Sequence, residues 1–140
     1  MRQLITGLVA FSSLLASAFA DDFGPYPSYY TQECGRCHIA YPPQLLTVSG
    51  WRNQISGLTD HYGIDARVAV PASRTILSYL VNNAAWQDDF APANPAARLS
   101  ATKWFVRTHG LNLTKEKSIS DCARCHTDAS IGKYNQAAQK

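Results

Sequence analysis

Methionine is almost absent from this chain, because Met1 is the only one among 140 residues. The apolar run from Leu4 to Leu15 falls short of the roughly 20 residues that a membrane-spanning helix needs. We find no acid–base pair, nucleophile arrangement or phosphate-binding loop, which argues against a hydrolase or a transferase. The formal charge of +3 gives no case for a nucleic-acid partner.

The first twenty residues have the pattern of a secretory signal peptide. Arg2 precedes the apolar run, and Ala18-Phe19-Ala20 supplies the small residues that fit cleavage after Ala20. A retained membrane anchor is the alternative. The sequence therefore predicts a cleaved signal peptide at residues 1–20 and an exported, soluble, periplasmic protein. Residues 21–140 have the size of one small domain.

All four cysteines lie in two copies of one motif, Cys-X-X-Cys-His, at residues 34–38 and 122–126. This pattern is typical of covalent haem attachment, in which two thiols add to the haem vinyl groups and the adjacent imidazole binds iron. A four-cysteine zinc site, a thioredoxin-like redox pair and two disulfides are alternatives, but none explains a histidine after both pairs. The predicted attachment residues are Cys34, Cys37, Cys122 and Cys125, and the predicted proximal iron ligands are His38 and His126.

The remaining histidines match the remaining iron positions in number. In electron carriers the position opposite the proximal histidine is usually filled by histidine or methionine, and Met1 leaves with the signal peptide. Only His61 and His109 are left, so we expect them to be the distal ligands of two bis-histidine, low-spin irons of relatively low potential. The nearest pairing joins His61 to the first haem and His109 to the second, while crossed ligation stays open. Such irons suit electron transfer.

Local signals predict a mostly helical fold, with short helices and long loops around two covalently bound haems and little or no sheet. The predicted helices run from Thr31 toward Ala40, Ser49 to Gly63, Pro71 to about Ala84, Asn94 or Ser100 to His109, and onward from a Ser120 cap. His61 lies at the edge of the apolar stripe of the second helix. The proline-containing segment 91–95 divides the domain into a first haem half, about 21–90, and a second, about 91–140.

Four basic side chains have two possible roles. Each could meet a haem propionate or a docking partner, and the alternative is an ordinary solvated charge. They are Arg36, Lys103, Arg107 and Arg124.

The sequence resembles the small soluble dihaem cytochromes c of the DHC type in bacterial electron-transfer chains. The resemblance covers most of residues 21–140, and its most specific parts are Cys37-His38-Ile39-Ala40-Tyr41-Pro42-Pro43 and Asp60-His61-Tyr62-Gly63. It implies two bis-histidine haems with His61 and His109 as the distal ligands. It also implies an electron carrier, and in that family such a carrier passes electrons to a small oxygen-binding monohaem cytochrome or exchanges them with a membrane cytochrome b.

Two rival functions are compatible with the same motifs. One is a haem-based ligand-binding protein or reductase in which one iron loses its distal histidine. The other is the electron-entry subunit of a larger periplasmic reductase. In the leading interpretation the protein is an electron carrier and not an enzyme.

Overall fold

The structure, a computed structural model, describes residues 22–111 and 121–134. Three predictions lie outside these ranges. They are the signal peptide at 1–20, the Ser120 cap and the solvated tail at 136–140.

Four short α-helices and several 3-10 turns make up the described chain. The helices are α1 (Ser28–Cys34), α2 (Val48–Ser56), α3 (Val70–Asn82) and α4 (Lys103–His109). Within the described ranges there is no strand, and β-type pairing is limited to isolated bridges such as the one between Thr47 and Ala85. The predicted mostly helical fold with little or no sheet is confirmed.

The core forms where α2 and α3 pack against the segment after the first motif. Trp51 of α2 is 7% exposed, and its Nε1 donates a hydrogen bond to the carbonyl oxygen of Pro43 at 2.6 Å. Ile76 and Leu80, four residues apart on one face of α3, are each 1% exposed. Burying these side chains contributes roughly 1.5–3 kcal/mol each, which fixes α2 and α3 beside the first motif.

The first helix differs from its prediction at both ends. It begins at Ser28, directly after Pro27, and ends at Cys34, whereas the sequence predicted a helix capped by Thr31 that carried the motif toward Ala40. Thr31 lies inside the helix, and its hydroxyl donates to the carbonyl oxygen of Ser28 at 3.0 Å. The helix ends because Gly35 caps it, with its backbone N–H bonded to the carbonyl oxygen of Thr31 at 2.9 Å. The rest of the motif is therefore a turn.

The second helix is shorter than predicted and begins earlier. Thr47 is the cap, not Ser49, since its hydroxyl accepts a hydrogen bond from the backbone N–H of Gly50 at 3.3 Å. The helix ends at Ser56 with Gly57 as its C-cap, and a 3-10 turn at Leu58–Asp60 follows. Glycine is a poor helix former, which explains the early end. His61 therefore lies in a turn beyond α2 and not in its last helical turn.

The third and fourth helices agree better with expectation. Pro71 occupies the first turn of α3, as predicted, although the helix ends at Asn82. Neither Asn94 nor Ser100 starts α4, because the hydroxyl of Thr102 caps it by accepting a hydrogen bond from the backbone N–H of Phe105 at 3.2 Å. The predicted end is confirmed: His109 is the last residue and Gly110, with φ of 78°, terminates the helix.

The described N-terminal segment lies along the region that follows the second motif. Asp22 pairs with Lys133 in an antiparallel bridge, and the Phe23 backbone N–H donates to the carbonyl oxygen of Gly132 at 2.8 Å. The Phe23 and Tyr134 rings meet edge-on at 5.7 Å. The two ends of the described chain are thereby joined, because residues before α1 contact residues that follow the second motif.

Candidate haem-binding site

The first motif lies at the end of α1, where the chain turns. The Nδ1 atom of His38 donates a hydrogen bond to the carbonyl oxygen of Ile39 at 2.7 Å. This bond fixes the tautomer with the proton on Nδ1, so that Nε2 keeps its lone pair for a metal. The Tyr41 ring stacks on His38, with centroids 4.7 Å apart and an interplanar angle of 17°. The hydrogen bond and the stacked ring therefore hold the imidazole in one orientation.

The second motif forms a 3-10 turn over Cys122–Arg124, not the predicted α-helix. The backbone N–H groups of Cys125 and His126 both donate to the carbonyl oxygen of Cys122, at 3.1 and 2.8 Å. The Nδ1 atom of His126 is buried and makes no hydrogen bond within the described ranges. Tyr134 lies next to this imidazole, with ring centroids 5.3 Å apart. One turn thus presents two thiols and an imidazole together.

Each of the two remaining histidines lies opposite a motif histidine. The ring centroids of His38 and His61 are 6.3 Å apart, and those of His109 and His126 are 6.2 Å apart. Metal–imidazole nitrogen bonds are about 2.0–2.1 Å, which places two rings on opposite sides of one metal with centroids roughly 6 Å apart. The structure therefore brings together the pairs that are nearest in sequence, each at the spacing of two axial ligands.

The two opposing histidines are supported differently. His109 ends α4, and its Nδ1 donates to the carbonyl oxygen of Phe105 at 3.1 Å. His61 is held through its backbone, which exchanges two hydrogen bonds with Ile64 at 2.8 and 3.2 Å. Burial lowers the pKa of both imidazoles, and the neighbouring His38 and His126 lower it further, while the bond to Phe105 opposes the shift at His109. Both rings are thereby kept in the neutral form that binds metals.

A cavity of about 810 Å³ surrounds the first pair of histidines. Its size lies within the 300–1,000 Å³ that is usual for cofactor pockets. The wall is mainly aromatic and aliphatic, with Cys34 and Cys37 at one side and Trp51, Ile55 and Leu80 among the apolar residues. An apolar cavity with two thiols and two opposed imidazoles fits a porphyrin, so the residues present suit a covalently bound haem.

The cavity also includes residues from beyond the 91–95 segment. Leu99, Phe105 and Cys122 line it together with the residues of the first motif. Cys122 belongs to the second motif, and Phe105 packs on His109 with centroids 4.0 Å apart. Phe105 therefore contacts both the cavity of the first histidine pair and a histidine of the second pair.

Other uses of the cysteines have no geometric support. No disulfide joins any of the four cysteines. In the described part of the chain no three His, Cys, Asp or Glu side chains converge as a metal-binding group of their own. Burial raises the pKa of the Cys34 and Cys122 thiols to about 11, so both are protonated at neutral pH. The zinc and disulfide alternatives therefore lose their basis.

One charged residue of this site was not predicted from the sequence. Among the described residues Arg98 is the only Lys or Arg that lines the cavity, and its guanidinium carbon lies 4.2 Å from the centroid of the Tyr62 ring. No local motif surrounds Arg98, so only the fold reveals its position. The predicted cations Arg36 and Arg107 pair instead with Glu33 at 4.0 Å and Asp89 at 2.5 Å.

Comparison with known proteins decides the family. The family model for dihaem cytochrome c matches residues 30–134. The chain belongs to the dihaem cytochrome c family. A search of curated proteins found no match.

Solved structures agree with this assignment. A dihaem cytochrome c from Rhodobacter sphaeroides is 32% identical with a TM-score of 0.62, and covers 74% of this chain and 93% of its own. A dihaem cytochrome c from Shewanella baltica OS155 is 31% identical with a TM-score of 0.61, covering 75% and 85% respectively. A crystal structure of DHC purified from Rhodobacter sphaeroides is 34% identical with a TM-score of 0.60, covering 76% and 95%.

Family membership establishes the cofactor and the general function. This dihaem cytochrome carries two haem c groups, each with an iron, and it is a haem electron-transfer protein. The resemblance inferred from the sequence motifs is thereby confirmed. Among the described helices none is long and apolar enough to cross a membrane.

Proposed function

We propose that this dihaem cytochrome is a periplasmic electron carrier in which two histidines hold each iron. His38 and His61 bind the first iron, and His126 and His109 bind the second. The observation that carries this proposal is the pair of centroid distances, 6.3 and 6.2 Å, both of which match two imidazoles on opposite sides of one metal. The same distances support nearest-in-sequence ligation over crossed ligation.

The histidines make the centre suitable for electron transfer because they leave no coordination site for a substrate. When bound, each haem supplies a one-electron couple between ferric and ferrous iron. The hydrogen bond from His38 Nδ1 to Ile39 makes the ring a stronger electron donor to the metal, and the bond from His109 to Phe105 acts in the same way. No methionine remains to act as a ligand, so both potentials are low for cytochromes c.

The protein passes single electrons between two redox partners. For each electron that enters, the donor is oxidised by one electron, and for each that leaves, the acceptor is reduced by one. Cys122 lines the cavity of the first centre, and Phe105 connects that cavity to His109, so the packing supports transfer between the centres. The residues of the first centre then come mainly from about 21–90, and those of the second centre come mainly from about 91–140.

The predicted export signal supports the proposed location, and the resemblance noted from the sequence supports the proposed partners. Cleavage after Ala20 releases the carrier into the periplasm, where the cysteines receive haem. We propose a small oxygen-binding monohaem cytochrome or a membrane cytochrome b as the redox partner, and no nucleic acid. Mass spectrometry of the periplasmic fraction tests the proposed location and cleavage. The expected mass is that of residues 21–140 plus two haems, and an uncleaved chain in the membrane fraction would argue against export with cleavage.

Carbon monoxide binding tests the carrier against its main rival, a ligand-binding haem protein. One observation favours that rival at the first centre: His61 lies in a turn outside any helix, and its ring nitrogens make no hydrogen bond to the described residues. In the carrier both reduced irons are saturated, so the native protein does not bind carbon monoxide rapidly. Rapid, stoichiometric binding at one haem would instead establish an openable iron.

A further inference from the structure

Arg98 lines the cavity of the first centre and has no acidic partner among the described residues. It is an exposed residue of the cavity wall and the only Lys or Arg among the described residues that line the cavity. It forms no ion pair with any carboxylate of the described residues. By contrast, Arg67 pairs with Asp65 at 2.6 Å and Arg107 pairs with Asp89. A cation without a carboxylate at an apolar cavity is available to a negatively charged ligand.

The Arg98 guanidinium lies over the Tyr62 ring. The guanidinium carbon lies 4.2 Å from the centroid of the phenol ring, which is within the range of a cation–π interaction. The Tyr62 hydroxyl donates to the carbonyl oxygen of Ala97 at 3.2 Å and accepts from Gln54 Nε2 at 3.1 Å. These contacts join the turn after α2 to the residue directly before Arg98. The arginine is therefore oriented by a residue from the other haem half.

Tyr62 also fixes the turn that carries His61. It follows His61 directly, and the two rings meet at 4.8 Å with an interplanar angle of 60°. Its φ of 55° is uncommon for any residue with a side chain, so surrounding contacts must hold it there. The bonds of the phenol hydroxyl to Ala97 and Gln54 are such contacts. One side chain thus positions both the distal histidine and the cavity arginine.

We propose that Arg98 binds a propionate of the first haem and that Tyr62 is the positioning residue that holds Arg98 and the His61 turn for this purpose. The proposal rests on the proposed function, because it assumes a haem between His38 and His61. Arg98 suits the role since a planar guanidinium binds a carboxylate through two parallel hydrogen bonds. Its positive charge stabilises the reduced haem relative to the oxidised haem, which carries one more positive charge.

The test measures both midpoint potentials of the holoprotein for Arg98→Gln, Arg98→Lys and Tyr62→Leu. Arg74→Gln is the matched control, because Arg74 is an exposed arginine of α3 that does not line the cavity. We expect Arg98→Gln to lower one potential, with up to about a tenfold change in the ratio of oxidised to reduced haem, equivalent to about 59 mV, and to leave the other unchanged. Arg98→Lys should keep this potential close to the wild-type value. Tyr62→Leu should lower the same potential, but by less than Arg98→Gln does.

Two results separate failure of this inference from failure of the proposed function. Haem content and the low-spin spectrum are recorded for every variant before its potentials. If the wild type has two low-spin haems and Arg98→Gln shifts neither potential more than Arg74→Gln does, Arg98 does not bind the propionate. If the wild type itself lacks two bis-histidine irons, the proposed function fails first. Tyr62→Leu keeps Arg98 and gives an independent measurement should Arg98→Gln not accumulate.

Discussion

The Phe105 ring lies flat on the His109 ring, with centroids 4.0 Å apart and an interplanar angle of 14°. Phe105 is 5% exposed and accepts the hydrogen bond from His109 Nδ1 through its own carbonyl oxygen. The side chain and the backbone of one residue therefore fix both the plane and the tautomer of the histidine. A change at Phe105 should affect stability and iron ligation together.

Phe105→Ala should destabilise the protein by about 3–5 kcal/mol and open the second iron to ligands, because it leaves a cavity beside His109. Phe105→Leu should cost less and open the iron partly. Thermal unfolding and carbon monoxide binding measure the two effects. Phe90→Leu is the control, because Phe90 stacks on Trp104 and not on His109. Equal carbon monoxide binding by the Phe105 and Phe90 variants would show that the stacked ring does not hold the ligand.

Nearest-in-sequence ligation can be separated from crossed ligation by removing the second haem. In a Cys122→Ser, Cys125→Ser background only the first haem attaches. Adding His109→Ala should leave that haem low-spin, because His61 is its distal ligand, whereas adding His61→Ala should give a high-spin iron that binds carbon monoxide. The opposite pair of spectra would establish crossed ligation. Unchanged low-spin spectra in both variants would exclude both histidines as required ligands.

Gly35 and Ala123 occupy the same place in the two motifs but not in the same surroundings. A Cβ atom at Gly35 would lie 2.3 Å from the carbonyl oxygen of Thr31. We expect Gly35→Ala to move the end of α1, to destabilise the first motif by roughly 1–3 kcal/mol and to lower haem attachment there. Ala123→Gly is the matched control and should keep both haems. The haem-to-protein ratio by mass spectrometry measures the difference, and full double loading of Gly35→Ala would contradict the prediction.

Buried tyrosines should limit stability at high pH. Burial raises the pKa of Tyr26, Tyr30 and Tyr134 above the ordinary value, with neighbouring tyrosines among the further causes. The unfolded chain ionises these phenols near pH 10, so the stability from keeping them neutral is complete below pH 10 and is lost as the pH rises above it. Denaturant unfolding between pH 8 and 11 measures this loss.

Tyr134→Phe tests the tyrosine contribution directly. The buried Tyr26 and Tyr134 hydroxyls interact with each other without forming a hydrogen bond of ordinary geometry in the described chain, so the substitution should cost little at pH 8. The fall in stability above pH 10 should become shallower. Tyr29→Phe is the control, because Tyr29 is 40% exposed and should leave the fall unchanged. Identical curves for the two variants would show that buried phenols do not set the alkaline limit.

Sequence patterns predicted what depends on neighbours along the chain. Pro71 in the first turn of α3 and the end of α4 at His109 are set by local backbone preferences, so they could be found without a structure. The predicted end of α2 was wrong because Leu58 and Tyr62 continue the apolar spacing past Gly57, where the helix has already stopped. Apolar spacing alone does not distinguish one helix from a helix followed by a 3-10 turn.

Contacts between distant residues could not be predicted in this way. Arg98 and Tyr62 meet only because the chain after the 91–95 segment returns to the cavity of the first centre. Tyr134 reaches the N-terminal segment through the pairing of Asp22 with Lys133. Neither contact produces a repeating pattern of residues along the sequence from which it could be predicted. Counting histidines was enough to identify the iron-binding candidates. The fold was needed to show which two histidines lie opposite each other.

Near-infrared magnetic circular dichroism of the oxidised holoprotein, with electron paramagnetic resonance of the same sample, tests the central claim most directly. Ligation by His38 with His61 and by His126 with His109 predicts two low-spin ferric haems per chain, both with the signature of two imidazole ligands. A substantial high-spin signal, or a low-spin signature of any other ligand pair, in the native protein would contradict the account.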